Sequence, residues 1–115
     1  VATEEAVRLR RSLAAANPDA FTPDLARSVS ILSDVHAALD NYPDASKAAQ
    51  EAMRLLLPYV RRYTEAYAGL ASTIRSDMEK YSAKAGSQPD SSLVREIEDV
   101  LGALQNDAST TPEGS

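Results

Sequence analysis

The chain lacks cysteine and tryptophan, and it contains few aromatic residues and few glycines. Its 115 residues include no Cys, no Trp and four Gly, and only 5% are aromatic. The absence of cysteine excludes disulfides and thiolate metal sites. The glycines are isolated, which excludes a glycine-rich phosphate loop. With so little aromatic volume, a core has to be built from Leu, Ile, Val and the many alanines, a composition that suits a thin two-layer arrangement of helices.

Long apolar runs and a basic charge balance are absent as well. No run approaches the length of a membrane-spanning helix, and the first residues do not form a signal peptide. The formal net charge of -5 disfavours nucleic acids and anionic membranes as partners. We therefore expect one cytoplasmic domain with no cofactor, and Val1 suggests a segment trimmed from a longer protein.

Two stretches of the chain resemble each other. EAVRLRRSLAAANPDAFTPDLARSVSI begins at Glu5 and EAMRLLLPYVRRYTEAYAGLASTIRS begins at Glu51, an offset of 46 residues that slips to 45 by Leu25 and Leu70. A fixed period of this size is typical of stacked helical repeats, in which each unit covers the apolar stripe of its neighbour. Such proteins usually provide a binding surface rather than a catalytic site.

Apolar spacing predicts about five helices and no strand. The predicted spans are 3–16, 23–39, 44 to about 63, 68–84 and 92–105. Thr22 and Pro23 predict the start of the second helix, because proline fits the first helical position. Ser92 is the predicted N-cap of the last helix.

The middle and the end of the chain complete this prediction. Pro58 either ends or kinks the third helix. A turn near residues 63–67 is one interpretation, and a single bent helix that runs on to Ala85 is the other. We expect a helical domain over residues 1–105 and a flexible tail over residues 106–115.

The segment ARSVSILSDVHAALDNYPDASKAAQEAMRLLL, residues 26–57, resembles the tetratricopeptide repeat. Val29 stands at the first large residue of that family, and Leu32 and Ser33 stand at the Leu-Gly pair that lets two helices touch. Further positions that match the turn and the second helix are Tyr42, Ala45 and Ala52. The segment AAANPDAFTPDLARSVSILS is similar to the long-period tetratricopeptide arrays of bacteria.

The resemblance implies an all-α fold in which antiparallel helix pairs stack as a short α-solenoid. It also implies a non-catalytic scaffold that binds a peptide or helix of a partner protein in a concave groove, within a larger bacterial regulatory protein. In the family, the first helix of each pair lines that groove. Carried over by position, the partner-binding residues are Arg27, Ser30, Asp34, Ala37, Ser72, Arg75 and Glu79.

The second copy departs from the family pattern. Asp77 and Met78 stand where a Leu and a small residue are expected. A carboxylate at a helix-packing position is costly if it is buried. Either the register shifts so that Met78 points inward, or this helix forms the polar end of the array.

Other interpretations stay open. The chain could be a plain helical bundle that self-associates into a homo-oligomer through exposed apolar surface. A small all-α enzyme would need a closed pocket around His36, the only histidine, whereas we expect this side chain to fill a packing position. A second candidate interface is a patch of tyrosines, Tyr59, Tyr63 and Tyr67 at a spacing of four together with Tyr81.

Overall fold

The structure, a computed structural model, describes residues 2–109, and it describes side chains over residues 3–102. The helices are α1 (Ala2–Ala16), α2 (Pro18–Ala38), α3 (Tyr42–Arg62), α4 (Thr64–Lys84) and α5 (Ser91–Ser109). No strand occurs between residues 2 and 109. The predicted all-α class with five helices is confirmed. The predicted tail is partly helical, since α5 runs to Ser109, and residues 110–115 lie outside the described part of the chain.

The second helix starts earlier than predicted. Asn17 is the N-cap of α2, and Pro18 occupies its first turn. Pro23, the predicted start, lies inside the helix and is buried. Both prolines suit a helix start, and an interior proline this close to the N-terminus removes only one backbone hydrogen bond. The sequence pattern alone therefore could not choose between them.

The two later helix starts also differ from the prediction. The chain breaks at Tyr63, so the turn is observed and the single bent helix is not, and α4 starts at Thr64. The cap of α5 is Asp90 rather than Ser92: its Oδ1 accepts a hydrogen bond from the Ser92 N–H at 3.2 Å. Aspartate and serine are equally good N-caps, so the sequence again allowed both.

The duplication seen in the sequence is also present in the backbone. Asn17 (φ -148°, ψ 84°) and Tyr63 (φ -133°, ψ 64°) each join two helices alone and have similar dihedral angles. They are 46 residues apart, and so are both ends of α2 and α4. The slip to 45 is therefore not seen at the helix boundaries.

The helix ends repeat at the same offset. Asp40 and Gly86 both have a positive φ, 61° and 71°. After each, a backbone N–H returns to the helix: Asn41 donates to the His36 carbonyl at 2.8 Å and Ser87 to the Ser82 carbonyl at 2.9 Å. This pattern is the left-handed C-cap that satisfies the last carbonyls of a helix. We call α1 with α2 the first unit, and α3 with α4 the second unit.

The two units form two layers of antiparallel helices. α2 packs against α1 and α3, while α3 also packs against α4 and α5 and α2 approaches α4. The Ser33 hydroxyl donates to the Ala45 carbonyl at 2.8 Å, and the Tyr59 hydroxyl donates to the Pro18 carbonyl at 3.2 Å. These two contacts fix the antiparallel register of α2 and α3. The shortest dimension of the chain, 21 Å, corresponds to about two helix diameters.

Small residues form the contact between α2 and α3. Ala26 and Ser33 on α2 are buried, as are Ala45, Ala49 and Ala52 on α3. Helices with such surfaces can approach closely, and neighbouring side chains then pack at crystal-like density. The close approach positions the rest of the molecule, because both units meet at this contact.

Enlarging a residue at this contact should destabilise the fold. We expect Ala45→Leu to lower the free energy of unfolding by about 1–3 kcal/mol, because an overpacked contact forces the backbone apart. Ala38→Leu, at an exposed position of α2, is the control and should change it by less than about 0.5 kcal/mol. Urea unfolding followed by circular dichroism measures both, and equal effects would contradict the close contact.

Candidate functional site

An open cleft separates α1 and α2 on the side away from the second unit. It encloses about 390 Å³, a volume within the range of ligand and peptide sites. We call it the α1–α2 cleft. Its lining residues are Thr3, Ala6, Arg10, Asp24, Arg27, Ser28 and Ile31.

The second unit shows what covers the same place when a helix is present. The residues of that unit 46 positions further on are Ala49, Ala52, Leu56, Leu70, Thr73, Ile74 and Asp77. All of them except Thr73 are buried or half-buried. The helix next to them is α2, which packs on α3 and approaches α4. In the second unit a helix therefore lies in the groove whose equivalent is open in the first.

The outer face of α1 continues this open surface. Leu9 is 63% and Leu13 is 39% exposed. Their equivalents in the second unit are Leu55, which packs against the core, and Tyr59, which is 8% exposed. Two exposed leucines one helical turn apart, beside an apolar cleft, form a continuous surface of the kind that marks an interaction site.

Two arginines give the cleft a positive character. Arg10 is half-buried at the position that buried Leu56 occupies in the second unit. Arg27 lies across the cleft on α2. Neither forms an ion pair with another residue of the described part of the chain, whereas the neighbouring Arg11 binds Glu51 of α3. Because both arginines lack an ion-pair partner there, an anion bound in the cleft would pair with them.

The structure does not bring the seven predicted groove residues together. Arg27 lines the α1–α2 cleft, Ser30 is buried and Ala37 is half-buried. Asp34 accepts a hydrogen bond from the Tyr81 hydroxyl of α4 at 2.7 Å. That these residues bind a partner together stays a prediction.

The three predicted residues on α4 lie on another flank. Asp77 interacts with Asp34 and so faces α2. Arg75 and Glu79 lie two residues before and after it, about 200° around the helix, and they pair with each other at 3.4 Å. Ser72 shares this outer flank and is exposed. Their equivalents in the first unit, 46 positions earlier, are Ala26, Val29 and Ser33 of α2. Those three residues are buried.

Two carboxylates meet where α2 approaches α4. Burial first, and then the negative charge of Asp34, raise the pKa of Asp77, while Lys80 counteracts this effect. Burial and the hydrogen bond to Asp34 also raise the pKa of the Tyr81 hydroxyl. A carboxylate pair of this kind can hold a proton. Its interaction partners, Tyr81 and Lys80, both come from α4, so we interpret the pair as a structural contact between the two helices.

His36 borders a much smaller pocket. It lies with Thr3 and Glu4 of α1 beside a space of about 100 Å³, which is well below the 300–1,000 Å³ or so of typical ligand sites. Among residues 3–102, no three His, Asp or Glu side chains are grouped so that they could hold a metal ion. None of the described helices combines the length and apolar character that a membrane span requires.

The predicted tyrosine patch is divided by the helix break. Tyr59 is buried and bonds the Pro18 carbonyl. Tyr63 is the exposed connector between α3 and α4, and its ring lies edge-on to that of Tyr67, with 6.4 Å between centroids. Tyr81 lies near Tyr42 instead, at 6.2 Å. The spacing of four assumed one helix, which the break at Tyr63 removes.

Sequence reasoning missed the cleft residues other than Arg27. The signal was present in the duplicated segments: where the second copy has Leu56 and Leu57, the first has Arg10 and Arg11. Such a change from apolar to charged residues marks the α1 face as different from its buried counterpart. No protein-family description, curated protein or solved structure matches this chain.

Replacing Asp77 by Asn should stabilise the fold at neutral pH. Because the pKa of Asp77 is raised, the folded state binds a proton more tightly than the unfolded state, so stability falls as pH rises above the ordinary value of 3.8. We expect Asp77→Asn to raise the free energy of unfolding at pH 7 by about 0.5 kcal/mol. The gain should shrink as the pH approaches 3.8.

Urea unfolding at pH 7, 5 and 4 measures this effect. Glu79→Gln, an exposed carboxylate on the other flank of α4, is the matched control and should show no gain. A gain for Asp77→Asn that is the same at every pH would contradict the role of its charge.

A second pair of variants tests the difference between the two units. Leu9→Ala should change the free energy of unfolding by less than about 0.5 kcal/mol, because Leu9 is exposed. Leu55→Ala, its equivalent, should cost about 1–2 kcal/mol, since this side chain packs on the core. Urea unfolding of both variants decides the point, and a large loss for Leu9→Ala would mean that α1 is covered in solution.

Proposed function

We propose that this chain is a non-catalytic protein–protein interaction module, a short α-solenoid that binds a helix of a partner protein. The observation that carries the proposal is the unequal use of two equivalent grooves. α2 lies in the groove of the second unit, and the corresponding α1–α2 cleft of the first unit is open. Helices that dock an apolar face into such grooves are a recurrent form of recognition.

The geometry of the surface supports a helix rather than a small molecule. The cleft continues into Leu9 and Leu13, which lie along α1 over one further turn. A small ligand would leave these leucines exposed, whereas a helix laid along α1 would cover them together with Ala6 and Ile31. The apolar positions also repeat those that already receive α2 in the second unit.

The tetratricopeptide-like identity, a bacterial origin and a cytoplasmic location belong to the same proposal. The period of 46 residues exceeds the 34-residue period of that repeat, and α2, α3 and α4 are each 21 residues long. The resemblance therefore supports the pairing of helices more than their dimensions. Of the residues that it assigns to partner binding, Arg27 belongs to the cleft.

A chain with one added helix tests whether the surface receives a helix. Ala2 is equivalent to Ala48, so a second copy of residues 18–47 placed directly before Ala2 should lay an α2-like helix on α1. Because the helix is tethered, its effective concentration is in the millimolar range. The chain has no cysteine, so Leu9→Cys supplies a single reporter in this surface.

N-ethylmaleimide measures the exposure of that reporter. We expect the added helix to slow labelling of the Leu9→Cys thiol about tenfold, the effect of covering it for about 90% of the time. A matched extension that carries Ala26→Asp and Val29→Asp in the added helix should give no protection, because these residues form the packing face. Equal labelling with both extensions would reject the proposed function.

A further inference from the structure

The charges in the α1–α2 cleft point to the chemistry of the partner. This inference rests on the proposed function and concerns the same surface. Arg10 and Arg27 stand on opposite sides of the cleft, without an ion-pair partner among residues 3–102. Of the residues whose side chains are described, Asp24 is the one acidic residue that lines it, so the cleft has an excess of positive charge in a chain whose net charge is -5.

The comparison of the two units shows that this charge is specific to the open groove. In the second unit the equivalents of Arg10 and Arg27 are Leu56 and Thr73, which are uncharged. The helix that lies there, α2, has uncharged residues at the corresponding levels. The register fixed by Ser33 and Tyr59 places Thr22 of α2 close to the level of Leu56.

The second level follows from the contact between α2 and α4. Asp34 binds Tyr81, and the two helices run in the same direction because each is antiparallel to α3. Asp34 also interacts with Asp77. One turn earlier on each helix, Ser30 therefore lies between the levels of Thr73 and Asp77. A helix bound in the α1–α2 cleft in the same manner thus presents one residue to Arg10 and another, two turns further on, to Arg27.

We propose that the partner is an amphipathic helix that bears acidic side chains two turns apart at the edges of its apolar face. The apolar face covers Leu9, Leu13 and Ile31, and the acidic residues pair with Arg10 and Arg27. Pairing would give Arg10, a half-buried residue of α1, the ion-pair partner that it lacks, and charge-assisted hydrogen bonds of this type are the strong ones.

A second copy of this chain is a poorer occupant. The flank of α4 that would have to lie on α1 carries Ser72, Arg75 and Glu79, and the last two already pair with each other. Docking this flank on Leu9 and Leu13 would desolvate the Arg75–Glu79 pair against leucine. The net charge of -5 on each copy would add repulsion.

The extended chain described above provides the test. Thr22 and Ser30 of the added helix are both changed to Glu in one extension and to Lys in another. Each extension is made with Arg10 in place and with Arg10→Glu. The measured quantity is the protection of the Leu9→Cys thiol from N-ethylmaleimide, a neutral reagent, relative to the unextended chain with the same residue 10.

With Arg10 in place, we expect the Glu extension to protect the thiol about tenfold more than the Lys extension, a factor that two partly exposed ion pairs can supply. Arg10→Glu should reduce or reverse this preference, and 0.5 M salt should weaken it. Circular dichroism of each chain verifies that the variants fold.

The outcomes separate this inference from the proposed function. Equal protection by the Glu and Lys extensions, or a Glu preference that Arg10→Glu does not reduce, would overturn the acidic partner while the helix-binding surface stands. Protection by none of the extensions would overturn both. Sedimentation that shows a concentration-dependent dimer, lost on Leu9→Glu, would identify a second copy as the occupant and likewise overturn the inference.

Discussion

The close contact between α2 and α3 is the constraint on which the rest of the structure depends. Ala26 and Ser33 of α2 are buried, as is Ala45 of α3, and the Ser33 hydroxyl donates a hydrogen bond to the Ala45 carbonyl. This contact joins the two units, because α2 belongs to the first and α3 to the second. It also sets how deeply α2 lies in the groove of the second unit, and hence how far its Asp34 reaches toward Tyr81 of α4. A single hairpin has no such partner and would leave its apolar stripe in water.

Much of the fold could be predicted from the sequence, because the duplication and the apolar spacing are strong signals. The helix count follows from them, whereas the turn near Tyr63 was one of two interpretations that they allowed. The boundaries were less certain where two residues could do the same task, as with Pro18 and Pro23 at the start of α2, or Asp90 and Ser92 before α5. In each case tertiary packing decides: Pro23 is buried within α2, and Asp90 binds Arg54 of α3.

The candidate site was harder to predict, since the role of a helix flank depends on what lies beside it. One face of α4 carries Ser72, Arg75 and Glu79, and the equivalent face of α2 carries residues at the same spacing. The α2 flank is buried because α3 follows it, while the α4 flank is exposed because α5 packs mainly on α3. The spacing of residues along one helix therefore cannot predict which of the two flanks is buried. The sequence does show that Arg10 stands where the second copy has Leu56. This difference indicates a functional site only once the two grooves are known to be equivalent.

The chemical difference between the grooves also means that α2 fits the second groove better than another copy of α2 would fit the α1–α2 cleft. In the second groove Asp34 of α2 meets Asp77 and Tyr81 and finds a hydrogen bond. In the first groove the same aspartate would face Ile31 and Val35, the equivalents of Asp77 and Tyr81, and would lose that bond in an apolar setting. Thr22 would face Arg10 rather than Leu56, and the positive charge of Arg10 would stay unpaired. Each difference therefore makes α2 bind the first groove more weakly than the second, so that a copy of α2 occupies the first groove only when it is tethered at a high effective concentration. Specificity of this kind arises as much from unfavourable alternatives as from favourable contacts.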